Sequence, residues 1–89
     1  MRTNTLIEPG MRIAVIGVGL SGRAAVRYLL ACGAEVVVSD NRSEPEFIAG
    51  EGAFLQETGV AWEAGGHRFA FFAGVDMVFV SPGVPLHLP

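Results

Sequence analysis

The sequence predicts an α/β fold, in which helices pack on a parallel β-sheet with strand order 3-2-1-4. Short runs of β-branched residues alternate with segments of helical periodicity, and this alternation is typical of parallel strands joined by right-handed crossovers. Glycine occupies 12 of the 89 positions without collagen-like spacing, so many tight turns are expected. We interpret residues 1–89 as one small domain, or as part of a larger protein.

The composition excludes several classes of protein. Hydrophobic residues make up 51% of the chain and charged residues 17%, which excludes intrinsic disorder. No apolar run approaches the roughly 20 residues of a membrane span. The formal net charge is −3, so we expect neither a nucleic-acid nor a membrane partner. A single cysteine and a start without the apolar core of a secretory signal predict a cytoplasmic protein.

The first strand and helix are indicated by a change of periodicity. Residues 11–16 form a short β-branched run that is apolar on both faces from Ile13 onward, as in a central parallel strand. A helical stripe follows, and we predict a helix with Ser21 as its N-cap that runs to about Cys32. Gly33 stands where a left-handed residue is favoured after a helix.

The next two elements show the same alternation. Residues 35–39 predict a second buried strand, which ends at Asp40. Ser43 is the expected N-cap of the second helix, since acidic residues follow it in the first turn. Gly50 and Gly52 weaken this helix by about 1 kcal/mol each.

The last elements are shorter. We predict a third strand over residues 60–63, one or two helical turns within residues 67–73, and a fourth strand over residues 76–80. In the order 3-2-1-4, the first and fourth strands flank the point where the strand order reverses. Ligands of open parallel sheets bind beyond the carboxyl ends of the strands at that point.

A glycine-rich loop, residues 17–22, follows the first strand and has the pattern G-x-G-x-x-G. Between a strand and a helix this pattern is typical of a Rossmann-like three-layer fold. Gly17 allows the tight turn, Gly19 leaves room for a phosphate, and Gly22 lets the helix pack close to the strand. The alternative is a tight strand-to-helix turn without a ligand.

The start of the first helix predicts an anion site. Unpaired N–H groups and a partial positive charge are found at every helix start. We therefore expect a pyrophosphate beside Gly19, with the N–H groups of Leu20 and Ser21 as donors and the Ser21 hydroxyl as a possible further donor.

Two further loops fall at the same edge of the sheet. Asp40 lies near the spacing at which an acid meets a bound nucleotide, so its carboxylate would accept from a ribose or a base, or else cap a turn. Arg42 would bind a phosphate, stack on a base, or remain a solvated charge. After the fourth strand, Gly83 allows a flat base or sugar to approach the backbone, or simply ends the strand.

The remaining polar residues predict no catalytic or metal site. His67 and His87 have no cysteine or paired acid at metal-ligand spacing. Cys32 is expected to pack, and Arg23 and Arg27 form a mainly solvated face. The sequence therefore predicts a binding rim with no catalytic residue, no metal and no cofactor of its own.

Three motifs together resemble the N-terminal domain of the Mur ligases. They are IGVGLSGRA at residues 16–24, VSDNR at 38–42 and VSPGV at 80–84, and the likeness extends from about residue 10 to residue 89. The resemblance is greatest to the branch that adds D-glutamate to UDP-N-acetylmuramoyl-L-alanine in peptidoglycan synthesis. It implies a three-domain, ADP-forming amide ligase whose first domain holds the UDP moiety, while ATP, Mg²⁺ and D-glutamate bind to the other two.

The resemblance also implies roles for individual residues. The residues implied to contact the UDP moiety come from all three loops: Gly19, Leu20 and Ser21 at the diphosphate, Asp40, Asn41 and Arg42 around the uracil, and Ser81 and Gly83 along the nucleotide. Family members often have threonine at the position of Asn41.

In the family, the first domain continues with a further βα unit and a fifth strand. The resemblance therefore implies a fragment, residues 1–89, which stops before the fifth strand and does not catalyse alone. The fourth strand then forms an apolar edge, and we expect self-association through it.

Two other functions remain open on the residues alone. The glycine-rich loop and Asp40 equally fit the first half of an NAD(P)-binding dehydrogenase or of a redox-sensing module. A purely structural fragment without affinity for a ligand is the third possibility.

Overall fold

Four parallel strands and two helices form the part of the chain that the computed structural model describes, residues 7–68 and 72–81. In chain order the elements are β1 (Arg12–Ile16), α1 (Leu20–Ala31), β2 (Glu35–Asp40), α2 (Glu44–Thr58), β3 (Ala61–Ala64) and β4 (Met77–Val80). The sheet has the order β3-β2-β1-β4, and every pair of neighbours is parallel. The predicted α/β fold and the predicted strand order are therefore confirmed.

The hydrophobic core lies between the two helices and one face of the sheet. Burying each large apolar side chain contributes about 1.5–3 kcal/mol, so this single cluster holds both helices on the sheet. Its buried members from the strands and helices are Ile13, Val15, Val36, Val38, Val26, Leu29, Phe47, Phe54 and Leu55. The chain between β3 and β4 includes residues 69–71, so the short helix predicted there lies partly outside the described residues.

The first helix begins earlier than predicted. Its N-cap is Gly19, with φ −113° and ψ −150°, and Ser21 lies inside the first turn. Within the described part of the chain, no side chain makes a capping hydrogen bond at this end of α1. The prediction that Ser21 caps the helix is wrong, because the extended backbone of Gly19 passes directly from the glycine-rich loop into the helix.

The second helix begins as predicted. The Ser43 side chain accepts from the Glu46 N–H, and the Glu46 carboxylate accepts from the Ser43 N–H, which forms a capping box. A left-handed Gly59, with φ 72°, ends the helix.

Among the described residues no helix is both long and apolar enough to cross a bilayer.

Gly50 has a packing reason to lie within α2. A Cβ at this position would stand 3.2 Å from Nη1 of Arg42. The side chain of Arg42 therefore uses the space that the glycine leaves, which offsets the weak helix propensity of the residue.

Candidate functional site

Three strands end side by side at the carboxyl edge of the sheet. Ile16 at the end of β1 pairs with Ser39 of β2 and with Val80 of β4, so the three strands end at one level. The Gly17 N–H donates to the Ser39 carbonyl at 2.8 Å. The Ser81 N–H donates to the Ile16 carbonyl at 3.0 Å. This register confirms the common rim that the strand order predicts.

The glycines at the two ends of the glycine-rich loop are required by its geometry. Gly17 has φ 85°, in the left-handed region that favours glycine. A Cβ on Gly22 would lie 2.3 Å from the Gly17 carbonyl oxygen, so only glycine allows α1 to pack so close to the loop. Both residues therefore have the structural roles predicted from the motif.

The middle glycine, Gly19, is different. Its φ of −113° is accessible to any residue, and no atom of the described chain lies within 4 Å of a Cβ built on it. Neither backbone strain nor packing requires glycine here. The open space beside Gly19 is what a phosphate needs in order to approach the backbone.

The first residues of α1 lie next to this space in the chain. The first N–H groups of a helix have no partner within the helix, and the helix dipole makes this end partly positive. Leu20 is 88% exposed, and Ser21 is also exposed. No acidic side chain lies in the first turn of α1, as far as the chain is described. Within the described residues, no side chain therefore neutralises this end of α1.

Asp40 turns inwards, towards the glycine-rich loop. Its carboxylate is 5% exposed and accepts from the Val18 N–H at 3.0 Å. It also accepts from the Arg42 N–H and Nε–H, both at 2.9 Å, and from Nη2 of Arg42 at 3.1 Å. These four bonds use about all the acceptor sites of an ionised carboxylate. Asp40 therefore holds the two loops together. This role is closer to the predicted turn cap than to the predicted contact with a ribose or a base.

The same contacts set the charge of this pair. Burial raises the pKa of the Asp40 carboxyl, but hydrogen bonds from Arg42 and Val18 outweigh burial, so the pKa lies below its ordinary value. The hydrogen bond to Asp40 raises the pKa of the Arg42 guanidinium. Both groups are therefore ionised at neutral pH.

Arg42 is the basic partner of Asp40 in the rim. Its Nη2 donates to the Val18 carbonyl at 2.8 Å, and its Cζ lies 5.2 Å from the centre of the Phe47 ring. The side chain nonetheless remains 38% exposed. Its neighbour Asn41 is exposed, so both residues are accessible from outside.

The third loop is described only at its first residue. Ser81 is 3% exposed, and its Oγ would lie 3.7 Å from a Cβ on Gly22. The hydroxyl therefore lies beside the start of α1, inside the rim. Gly83 lies outside the described residues, and its predicted contact stays a prediction.

Sequence reasoning missed Glu51, a buried acid in α2. It is 5% exposed, accepts from Nε of Arg23 at 2.6 Å, and lies 3.3 Å from Nη2 of Arg42. Arg23 thus turns to α2 and does not form a solvated face. The available signal was helical spacing, because Glu51 falls on the same stripe as Phe47 and Phe54.

A second missed cluster lies at the ends of β2 and β3. The Ser39 hydroxyl donates to Oε2 of Glu63 at 2.7 Å and lies 2.6 Å from Nδ1 of His67. The Arg68 N–H donates to Oε2 of Glu63 at 3.0 Å. In the described ranges, no group of three or more His, Cys, Asp or Glu side chains could hold a metal ion. The cluster joins β2 to the loop after β3.

Comparison with known proteins agrees with this geometry. The family model described as "Mur ligase MurD-like, N-terminal domain" matches residues 11–89. The chain is 43% identical over 83 residues to the UDP-N-acetylmuramoylalanine–D-glutamate ligase of Desulfotalea psychrophila. It is 46% identical over 80 residues to the ligase of the same name from Acidobacterium capsulatum.

These alignments cover most of this chain but a small part of each relative. They include 93% of the chain and 18% of the Desulfotalea protein, and 90% of the chain and 17% of the Acidobacterium protein. The family model alone covers well over half of the chain. The chain therefore belongs to the Mur ligase family, in which it corresponds to the MurD-like N-terminal domain.

Proposed function

We propose that this chain binds the UDP moiety of UDP-N-acetylmuramoyl-L-alanine, within a ligase that adds D-glutamate to that substrate during peptidoglycan synthesis. The names of its relatives support the reaction. The observation that supports the binding role most directly is the uncapped start of α1, where a Cβ on Gly19 would meet open space and Leu20 and Ser21 are exposed residues. A diphosphate matches this end in charge.

The diphosphate would lie against the backbone from Gly19 to Ser21. The N–H groups of Leu20 and Ser21 would donate to its oxygens, and the partial positive charge of the helix would oppose its negative charge. Asp40, a buried acid that contacts the glycine-rich loop, is neutralised by Arg42. Repulsion of an incoming phosphate by this carboxylate is therefore reduced.

The uracil would lie over the Asp40 loop, residues 40–42. A uracil ring has carbonyl acceptors and one ring N–H donor, and Arg42 and Asn41 offer exposed donors to it. The guanidinium of Arg42 also offers a flat surface for stacking. Asp40 supports this site mainly as the brace of both loops; a direct contact with the base would cost it one of its four hydrogen bonds. Ser81 and Gly83 would complete the nucleotide side of the rim.

The amide-forming step would belong to other parts of a full-length enzyme. The chain spans 18% of the length of the Desulfotalea relative, and we place the sites for ATP, Mg²⁺ and D-glutamate outside it. The described residues contain no group of three or more His, Cys, Asp or Glu side chains that could hold a metal ion. The chain alone would bind substrate without converting it.

The alternative of an NAD(P)-binding domain is disfavoured by Asp40. In that class, the acid after the second strand accepts from the ribose hydroxyls. Here each oxygen of the carboxylate already accepts two hydrogen bonds from the protein. A ribose would have to displace Arg42 or the Val18 N–H in order to be read by this acid.

Titration with UDP and with NAD⁺, followed by backbone amide NMR, tests the proposal. We expect UDP to shift the amide signals of Leu20, Ser21 and Arg42, and uridine without phosphate to shift only Arg42 among these three. NAD⁺ binding tighter than UDP binding would falsify the proposal. Shifts confined to β3 would also overturn it, because they would place the ligand away from the glycine-rich loop.

A further inference from the structure

Glu51 is a buried carboxylate that has no place in the binding rim itself. A buried charge is costly unless it is paired, and pairing alone does not explain why α2 carries an acid on its core-facing side. Its two partners, however, come from different parts of the site. Arg23 belongs to the first turns of α1, and Arg42 belongs to the Asp40 loop.

The glycine before it completes the arrangement. The Gly50 carbonyl accepts from Nη2 of Arg23 at 3.1 Å, and the missing side chain of Gly50 leaves room for Nη1 of Arg42. A glycine in a helix interior is destabilising relative to alanine, so a close approach of this kind is a physical reason to keep it.

Two aromatic rings lie on either side of the acid along α2. The Cζ of Arg42 lies 5.2 Å from the centre of the Phe47 ring, and the Cζ of Arg23 lies 5.6 Å from that of Phe54. Each guanidinium therefore has a ring and a share of one carboxylate. We call these four residues, Phe47, Gly50, Glu51 and Phe54, the α2 clamp.

We infer that Glu51 is a positioning residue for the uridine nucleotide. It holds Arg23 and Arg42 at fixed places, and through them it fixes the start of α1 relative to the Asp40 loop. The Val18 carbonyl, which accepts from Arg42, links the clamp to the glycine-rich loop. Glu51 itself does not touch the ligand. The inference rests on the proposed function, since it assigns the clamp to the same site.

Glu51→Gln tests the inference, with Glu57→Gln as its matched control. Both changes remove one charge from α2 and one partner from an α1 arginine, but Glu57 pairs with Arg27 and does not contact Arg42. In the full-length protein, measured by calorimetry, we expect Glu51→Gln to lower the affinity for UDP about tenfold. We expect Glu57→Gln to leave that affinity within about twofold of the wild-type value.

Gly50→Ala separates positioning from stability. The added Cβ would crowd Nη1 of Arg42 but raises helix propensity, so the melting temperature should hold or rise while UDP binding weakens. Gly52→Ala is the control on the same helix, because its Cβ meets Ile48 at 3.3 Å and not Arg42. This pair remains informative if Glu51→Gln fails to fold.

The outcomes distinguish the inference from the function on which it rests. If the wild-type protein binds UDP and both Glu51→Gln and Gly50→Ala bind it equally well, the inference is overturned and the proposed function stands. If the affinity for UDP falls only in proportion to the fall in melting temperature, Glu51 has a merely structural role and the inference is overturned. If the wild-type protein does not bind UDP, the proposed function fails first and the inference fails with it.

Discussion

The two helices of this fold begin in opposite ways. At the start of α2, Ser43 and Glu46 satisfy each other's backbone N–H groups, and the first turn contains two acids, Glu44 and Glu46. At the start of α1, the N-cap is Gly19 and the described residues supply neither a capping side chain nor a first-turn acid. One helix therefore neutralises its own positive end, and the other leaves that end exposed.

Under the proposed function, this difference shows where the protein gives up stability for binding. A capping side chain contributes typically about 1 kcal/mol, and an acid in the first turn adds about 0.3–1 kcal/mol. The start of α1 forgoes both contributions. It is also the end that faces open space beside Gly19 and an exposed Leu20. An anion that binds there would supply the stabilisation that a capping side chain or a first-turn acid would otherwise provide.

The largest expected effect comes from adding a side chain at Gly22, where α1 packs against the glycine-rich loop. Gly22→Ala places a Cβ 2.3 Å from the Gly17 carbonyl oxygen, so α1 must move away from the strand. We expect the free energy of unfolding to fall by about 3 kcal/mol, and UDP binding to be lost. Urea denaturation measures the first, and calorimetry measures the second.

Gly19→Ala is the control for this change. Since no described atom lies near its Cβ, stability should change by less than about 0.5 kcal/mol. UDP affinity should still fall, because the methyl group occupies the space of the phosphate. Equal destabilisation by both substitutions would contradict the distinction between the two glycines.

The next effect comes from giving α1 the kind of start that α2 has. Gly19→Asp provides a capping carboxylate, which should raise stability by about 0.5 kcal/mol and lower UDP affinity by more than about tenfold. The reverse change, Ser43→Ala, should cost about 1 kcal/mol and leave UDP affinity unchanged. Loss of UDP binding in Ser43→Ala would mean that the two helix starts are not independent. Thermal unfolding with and without UDP measures both variants.

The contrast between the two helix starts was only half visible in the sequence. Ser43 followed by Glu46 predicts the capping box from spacing alone, and the β-branched runs predict every strand to within one residue at each end. Ser21, by contrast, has the side chain of an N-cap but lies two residues too late. The extended backbone of Gly19 decides the start of α1, and backbone angles within a glycine loop are not encoded by residue type alone.

The polar partners of the site were also hidden, for a physical reason. Asp40 and Arg42 are two residues apart, yet nothing local requires the carboxylate to turn inwards to the Val18 N–H. Glu51 finds its two arginines only after α1, α2 and the Asp40 loop have packed together. The Asp40–Val18 and Arg23–Glu51 pairings span 22 and 28 residues and depend on tertiary contacts, whereas periodicity reports only the face on which a residue lies.

A third effect concerns the edge of the sheet. In the described part of the chain β4 ends the strand order, and its Val78, Phe79 and Val80 are 48%, 37% and 39% exposed. Unpaired strand edges without charge favour pairing with another chain. For the 89-residue chain we expect weak self-association, with a dissociation constant on the order of 1 mM. Sedimentation should show it, and Val78→Lys should abolish it. A wild-type chain that stays monomeric at millimolar concentration would contradict this prediction.

The smallest expected effect is on the pH dependence of stability, because it involves one carboxyl group. The pKa of Asp40 is lowered in the folded chain, so the folded state favours the ionised form. Its contribution to stability is complete above the unfolded pKa of about 3.9, and it is lost as the pH falls through the lower folded value. Urea denaturation at pH 7 and at pH 3 should show this loss, and Asp40→Asn should make it smaller. If Asp40→Asn leaves the pH dependence unchanged, the carboxylate does not hold the glycine-rich loop. In that case, the exposed start of α1 would need another explanation for its fixed position beside β2.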